Sequence, residues 1–173
     1  MVSGGPSILK TLVLFDSWTR GRHHLGRFAK NLAEQGFKIK LVHTGSWGHD
    51  KNINDFSSDF YDVIDVRTYG AQFKLEKIIS TEKPAAVLFL STRSLGHQAF
   101  NMLCKYHSIP TFHIYHGVVT VRDTSYQARD KIRLSNRLYI LGSAIVRNLL
   151  FVIPSYLTAA LKTKNFGRGL LSV

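Results

Sequence analysis

A β-α-β unit occupies the first 43 residues and constrains everything after it. Ile8-Leu-Lys-Thr-Leu-Val-Leu-Phe15 is a near-continuous apolar run, the pattern of a strand covered on both faces in a parallel sheet. After the turn Asp16-Ser-Trp-Thr-Arg-Gly21, the residues Leu25, Phe28, Ala29, Leu32 and Ala33 recur at the spacing of one helical face. Gly36 stands where a helix end favours a left-handed residue. Phe37-Lys-Ile-Lys-Leu-Val-His43 then alternates into a second strand. Two strands joined by a helical crossover of about 20 residues are parallel, because a tight hairpin cannot connect them.

The same grammar continues. Thr44 to Asp59 is rich in Gly, Ser, Asn and Asp and reads as a loop. Tyr61 to Val66 reads as a strand. Gln72 to Thr81 reads as a short helix with Leu75, Ile78 and Ile79 inward, ended by Pro84. Ala85 to Leu90 is a buried strand. Leu95, Ala99, Met102, Leu103 and Tyr106 mark the inner face of the next helix, and Ile109 to Tyr115 is a further strand stopped at His116-Gly117.

Beyond it, residues 118–128 read as an irregular loop. A basic amphipathic helix is expected over about 129–147, with Arg129, Arg133 and Arg137 on one face and Leu134, Leu138, Leu141 and Ile145 on another. Leu149 to Ile153 reads as a short strand broken by Pro154, and Tyr156 to Lys164 as a terminal helix ending at Gly167. A membrane span over Leu138 to Leu161 is disfavoured by Arg147-Asn148 near its centre and by Pro154. The expected organisation is a flexible N-terminus over 1–7 and one domain over 8–173.

Composition narrows the function classes. The 173 residues carry 45% apolar side chains, with 11 Phe and 7 Tyr, enough for a folded core. The single cysteine, Cys104, excludes an internal disulfide and a Cys-based zinc site. Together with an N-terminus lacking signal-peptide character, it points to the cytoplasm. The net charge of +12 is uneven: residues 1–82 hold eleven bases and nine acids, whereas residues 83–173 hold twelve bases and two acids, Asp123 and Asp130. Such a second half attracts phosphate or anionic lipid. Nucleic acid is the weaker partner class, since no recognition motif is present and the aromatics fall at core-like positions.

In a parallel α/β sheet the loops after the strands hold the ligand. Asp16 ends the first strand, and Arg20, Gly21, Arg22, His23 and His24 lead into a helix N-terminus suited to a phosphate or a sugar hydroxyl. The run Ser91-Thr-Arg-Ser-Leu-Gly96-His97 again brings hydroxyls and Arg93 to a helix start. His116 and Gly117 follow the fifth strand, where an imidazole is suited to general-base work and a glycine admits a ligand to the backbone. Each of these residues has an equally ordinary structural reading as a solvated charge, a turn glycine or a hydrogen-bonded histidine. Neither a phosphate-binding P-loop nor a Gly-x-Gly-x-x-Gly fingerprint is present, and neither His23–His24 nor His113–His116 has metal-ligand geometry. No cofactor and no metal is expected.

The stretch Gly21-Arg-His-His-Leu-Gly-Arg-Phe-Ala-Lys-Asn-Leu-Ala-Glu-Gln-Gly36 followed by Phe37-Lys-Ile-Lys-Leu-Val resembles the opening of GT-B glycosyltransferases. Ile109-Pro-Thr-Phe-His-Ile-Tyr-His-Gly117 is similar to the strand and His-Gly turn of several such enzymes. Leu149-Leu-Phe-Val-Ile-Pro-Ser155 resembles the last strand of their amino-terminal lobe and the serine after it.

The resemblance implies a Rossmann-like, doubly wound, mostly parallel sheet with helices on both faces. It further implies the acceptor-binding half of an enzyme that moves a sugar from a nucleotide-sugar donor to a glycan or lipid-linked acceptor. The donor-binding lobe of that family has no counterpart here, so the half is expected to be inactive without a second lobe or subunit. Asp16 or His116 is then the expected base. Arg20, Gly21, Arg22, His23, His24, Ser91, Arg93 and Gly117 are the expected acceptor or phosphate contacts. The helix of Arg129, Arg133 and Arg137 is expected to meet an anionic membrane surface from the cytoplasmic side. The competing expectation is a non-enzymatic α/β module that binds a phosphorylated ligand or an anionic membrane.

Overall fold

The computed structural model describes residues 10–16, 25, 28–47, 56–70, 74–90, 94–114, 142 and 145–165. The first unit forms as its pattern dictates: β1 (Lys10–Asp16), a helix α1 whose described part is 28–34 with Leu25, and β2 (Phe37–His43). Gly36 takes φ 82°, the left-handed turn that only glycine adopts without strain. After a 3-10 turn at Gly45–Trp47 come β3 (Phe56–Ser57), β4 (Tyr61–Asp65) and a second 3-10 turn at Val66–Tyr69. The chain continues through α2 (Glu76–Glu82), β5 (Ala86–Phe89), α3 (Leu95–Tyr106), β6 (Thr111–His113) and α4 (Ile153–Thr163).

The strands assemble in the order β3-β4-β2-β1-β5-β6. All neighbours pair in parallel except β3, which lies antiparallel on β4. From β1 the chain winds outward through β2 to β4, then returns to the other side of β1 and winds through β5 to β6. Right-handed crossovers in opposite directions place their helices on opposite faces. The fold is therefore an α/β Rossmann-like domain, with its topological switch between β1 and β5.

Two cores follow from the period-2 alternation of the strands. Leu14, Ile39, Leu41 and Val63 face Leu25 and Ala29 of α1. Val13, Phe15, Val42, Val87 and Phe89 face Ile78 and Ile79 of α2, Ala99, Phe100, Leu103 and Cys104 of α3, and Tyr156, Ala159 and Ala160 of α4. Burial on both sides explains why β1 reads as an unbroken apolar run. Glu82 closes α2 onto the sheet, accepting from the Tyr69 hydroxyl at 2.8 Å while the Lys40 ammonium lies 2.5 Å from its other oxygen.

Four expectations change. The stretch 44–59 contains the 3-10 turn and β3, whose polar hairpin is closed by Ser58 N–H donating to the Tyr61 carbonyl at 2.9 Å. On α3 the buried face includes Phe100 and Cys104, and Tyr106 turns outward. The expected strand at Leu149–Ile153 is helical: Asn148–Val152 forms a π turn that runs into α4. A proline inside a helix lacks an N–H and crowds the preceding turn. The wide turn immediately before Pro154 accommodates both effects, and Pro154 itself lies in the first turn of α4. The terminal helix ends at Thr163, where Lys164 takes φ 53°, ahead of Gly167. Of the expected basic helix over 129–147, Gly142 and 145–147 are described and helical; the remainder lies outside the described residues.

Candidate functional site

The carboxyl ends of β1 and β5 flank the switch point, where an open α/β sheet leaves its ligand crevice. Asp16 is the last residue of β1 and is buried there. Its backbone carbonyl accepts from Thr44 N–H at 3.1 Å, which locks the strand end to the start of the Gly45–Trp47 turn. Across the switch point, β5 gives way to α3, whose first turn carries His97. Oδ2 of Asp16 and Nε2 of His97 stand 3.8 Å apart.

Ser94 sets the orientation of that imidazole. As the N-cap of α3, its hydroxyl oxygen accepts from His97 N–H at 3.2 Å and also contacts His97 Nδ1. With one hydrogen and two lone pairs, the hydroxyl can donate to Nδ1 or accept from it, so either imidazole tautomer satisfies this contact, and Nε2 is the nitrogen that faces the carboxylate. The ring is walled by Phe15 at 5.4 Å and Phe89 at 6.3 Å, both edge-on. The 3.8 Å approach of Nε2 to the carboxylate is longer than a hydrogen bond.

Gly96 brings α3 close enough for this contact. A Cβ built there would lie 2.8 Å from Cζ3 of Trp47, so the helix start presses directly on the indole of the 3-10 turn. His43, the β2 residue in register with Asp16, is fully buried beside it. Its Nδ1 accepts from Gly45 N–H at 3.1 Å, so the 3.6 Å approach of Asp65 Oδ2 to the same nitrogen is not a donated hydrogen bond. Asp65 instead accepts from Arg67 N–H at 2.8 Å, capping the second 3-10 turn. His43 is thus held in the buried end of β2 by the turn that follows it.

Of the residues expected from sequence, Asp16 is described, buried at the carboxyl end of β1. Arg20, Gly21, Arg22, His23, His24, Ser91, Arg93, His116, Gly117, Arg129, Arg133 and Arg137 lie outside the described residues. The structure adds Ser94, Gly96 and His97 from the run Ser91 to His97, His43 at the end of β2 and Trp47 in the turn after it. The legible signal for His97 is its place three residues after a serine N-cap at a strand-to-helix junction. No group of three or more His, Cys, Asp or Glu among the described residues could hold a metal ion. A separate cavity of about 410 Å³ lies between α2, α3 and α4, lined in part by Leu75, Ile79, Leu103 and Ala159, away from the carboxyl edge of the sheet.

The arrangement is a buried carboxylate with a histidine held against it, at the position where this class of sheet binds ligands. It can receive a proton from a ligand hydroxyl or hold a polar ligand group in place. Comparison with known proteins adds no identity: no family model matches the chain, and no curated protein or solved structure matches it.

Proposed function

We propose that this domain is the acceptor-binding half of a glycosyltransferase. The observation that carries the reading is Asp16, buried at the carboxyl end of β1 beside the switch point with His97 3.8 Å away. The sequence resemblance of the first β-α-β unit to GT-B enzymes supplies the reaction class.

In this reading an acceptor hydroxyl sits over Asp16. As its oxygen forms a bond to the anomeric carbon of the donor sugar, the carboxylate takes the hydroxyl proton. The bond from that carbon to the donor phosphate breaks, and the nucleoside diphosphate leaves with the electron pair. His97 is a positioning residue, its ring packed 3.8 Å from the carboxylate. The donor is held by a second lobe or polypeptide, and a glycan or lipid-linked saccharide is the acceptor class.

The test is a transfer assay with labelled nucleotide sugars, on the chain alone and co-expressed with a candidate donor-binding lobe. The reading expects no turnover alone and turnover with the second lobe. Full turnover by the chain alone overturns it. Binding of phosphorylated ligands that is indifferent to Asp16→Asn favours a non-enzymatic binding module instead.

A further inference from the structure

The helix Ile145–Thr163 is 19 residues long, with a mean hydropathy of 1.3, and only 22% of that apolar window is buried. Six aliphatic side chains along it, Ile145, Val146, Leu149, Leu150, Leu157 and Leu161, are between 44% and 64% exposed. Four of them, 145, 149, 157 and 161, belong to a repeat of four residues, and 146 and 150 flank it one position on. In a regular helix such a repeat drifts by about 40° at each step. The wide turn at Asn148–Val152 takes up part of the drift and keeps the two halves of the stripe aligned. By length and composition the segment is able to cross a membrane. Its opposite face is committed elsewhere, because Ser155, Tyr156, Ala159 and Ala160 are buried and the last three belong to the core shared with α3. A crossing helix would have to abandon that core.

We infer that this stripe docks the domain on an anionic phospholipid bilayer, with the helix lying in the interface plane rather than spanning it. Charge selects the occupant. Residues 131–173 carry seven Lys and Arg and no acid; Arg147 lies on the helix and Lys164 just beyond it, while Lys162 is engaged by Glu76. Basic side chains bordering an aliphatic face match acidic headgroups above acyl chains. A protein partner fits less well, since the exposed side chains are Leu, Ile and Val with no aromatic among them, whereas binding energy at protein interfaces concentrates in Trp, Tyr and Arg. The inference is independent of the sugar-transfer reading, and Asp16→Asn is expected to leave it untouched.

Flotation with vesicles of phosphatidylcholine, with and without phosphatidylglycerol, tests it on the full chain. The wild-type chain is expected to float with the anionic vesicles and to keep part of that binding in high salt. The variant Leu149→Gln/Leu150→Gln/Leu157→Gln/Leu161→Gln is expected to lose about tenfold or more of its binding at either salt. An unchanged circular dichroism spectrum shows that it still folds. As a second measurement, Leu157→Cys carrying an environment-sensitive fluorophore is expected to shift its emission to the blue on adding anionic vesicles. Absent wild-type binding, equal binding by the fourfold variant, or an unshifted fluorophore each overturns the inference. So does a dimer that the fourfold variant splits into monomers, which would assign the stripe to a second copy of the chain.

Discussion

His97 Nε2 faces Asp16 Oδ2 at 3.8 Å across the switch point, and the two belong to different units of the chain: Asp16 ends β1, and His97 begins α3. The contact forms only when β1 and β5 pair side by side. Asp16→Asn keeps the volume and removes the charge, and is expected to lower acceptor-dependent transfer by about 100-fold or more. His97→Gln, acting through the carboxylate, is expected to cost about tenfold, and little more when added to Asp16→Asn. Steady-state kinetics of the four proteins in that cycle, each combined with the donor-binding lobe, check both statements, and additive losses would deny that His97 works through Asp16.

Gly96 and Trp47 set how closely α3 approaches β2. Gly96→Ala puts a methyl group 2.8 Å from the indole edge, and a half-buried ring in a short turn has little room to retreat. A loss of about 1–3 kcal/mol is expected from urea unfolding. Adding Trp47→Leu is expected to recover part of that loss, since the clash and its removal involve one contact.

Glu76 joins three elements. Lys162 of α4 donates to its carboxylate, and His107, just after α3, contacts the same oxygen at 2.5 Å. The Lys162 hydrogen bond, opposed by partial burial and aided by His107, holds the Glu76 carboxyl below its ordinary value of 4.5. A carboxylate whose folded value is depressed stabilises the fold above its unfolded value and ceases to as pH falls through the folded one. Glu76→Gln is therefore expected to destabilise at neutral pH by up to about 1 kcal/mol, because the site is partly exposed and screened. The difference from wild type is expected to shrink as the pH falls below 4.5 and, at neutral pH, with added salt. Thermal melts across pH and salt measure it.

Cys104 sits in the core on α3, and burial pushes its thiol up to about 12. Thiol reagents attack the thiolate, so the folded chain is expected to resist labelling near pH 8. Labelling is expected to follow the fraction unfolded across a denaturant titration. Rapid labelling without denaturant would show that α3 opens locally.

The fold was legible because its signals are local. The apolar run at Ile8 to Phe15, the helical face from Leu25 to Ala33, Gly36 and the strand at Phe37 to His43 each carry their own periodicity, and parallel pairing follows from the length of the crossover. The elements misread are those set by context. Leu149 to Ile153 is as apolar and β-branched as a strand, and only packing of the following residues on α3 makes it helical. β3 is two residues of a polar hairpin with no pattern to read. At the site, Asp16 was legible as the polar end of a buried strand. His97 was not, because its partner lies on another strand and the contact depends on the strand order. Trp47 and Gly96 are neighbours for the same tertiary reason.

The most direct test of the acceptor-site reading is a calorimetric titration of the intact chain with a short-chain polyprenyl-diphosphate-linked saccharide and, separately, with nucleotide sugars. Saturable binding of the lipid-linked saccharide is expected, weakened about tenfold or more by Asp16→Asn, with no saturable binding of the nucleotide sugars alone. Tight nucleotide-sugar binding, or saccharide binding unchanged by Asp16→Asn, would contradict it.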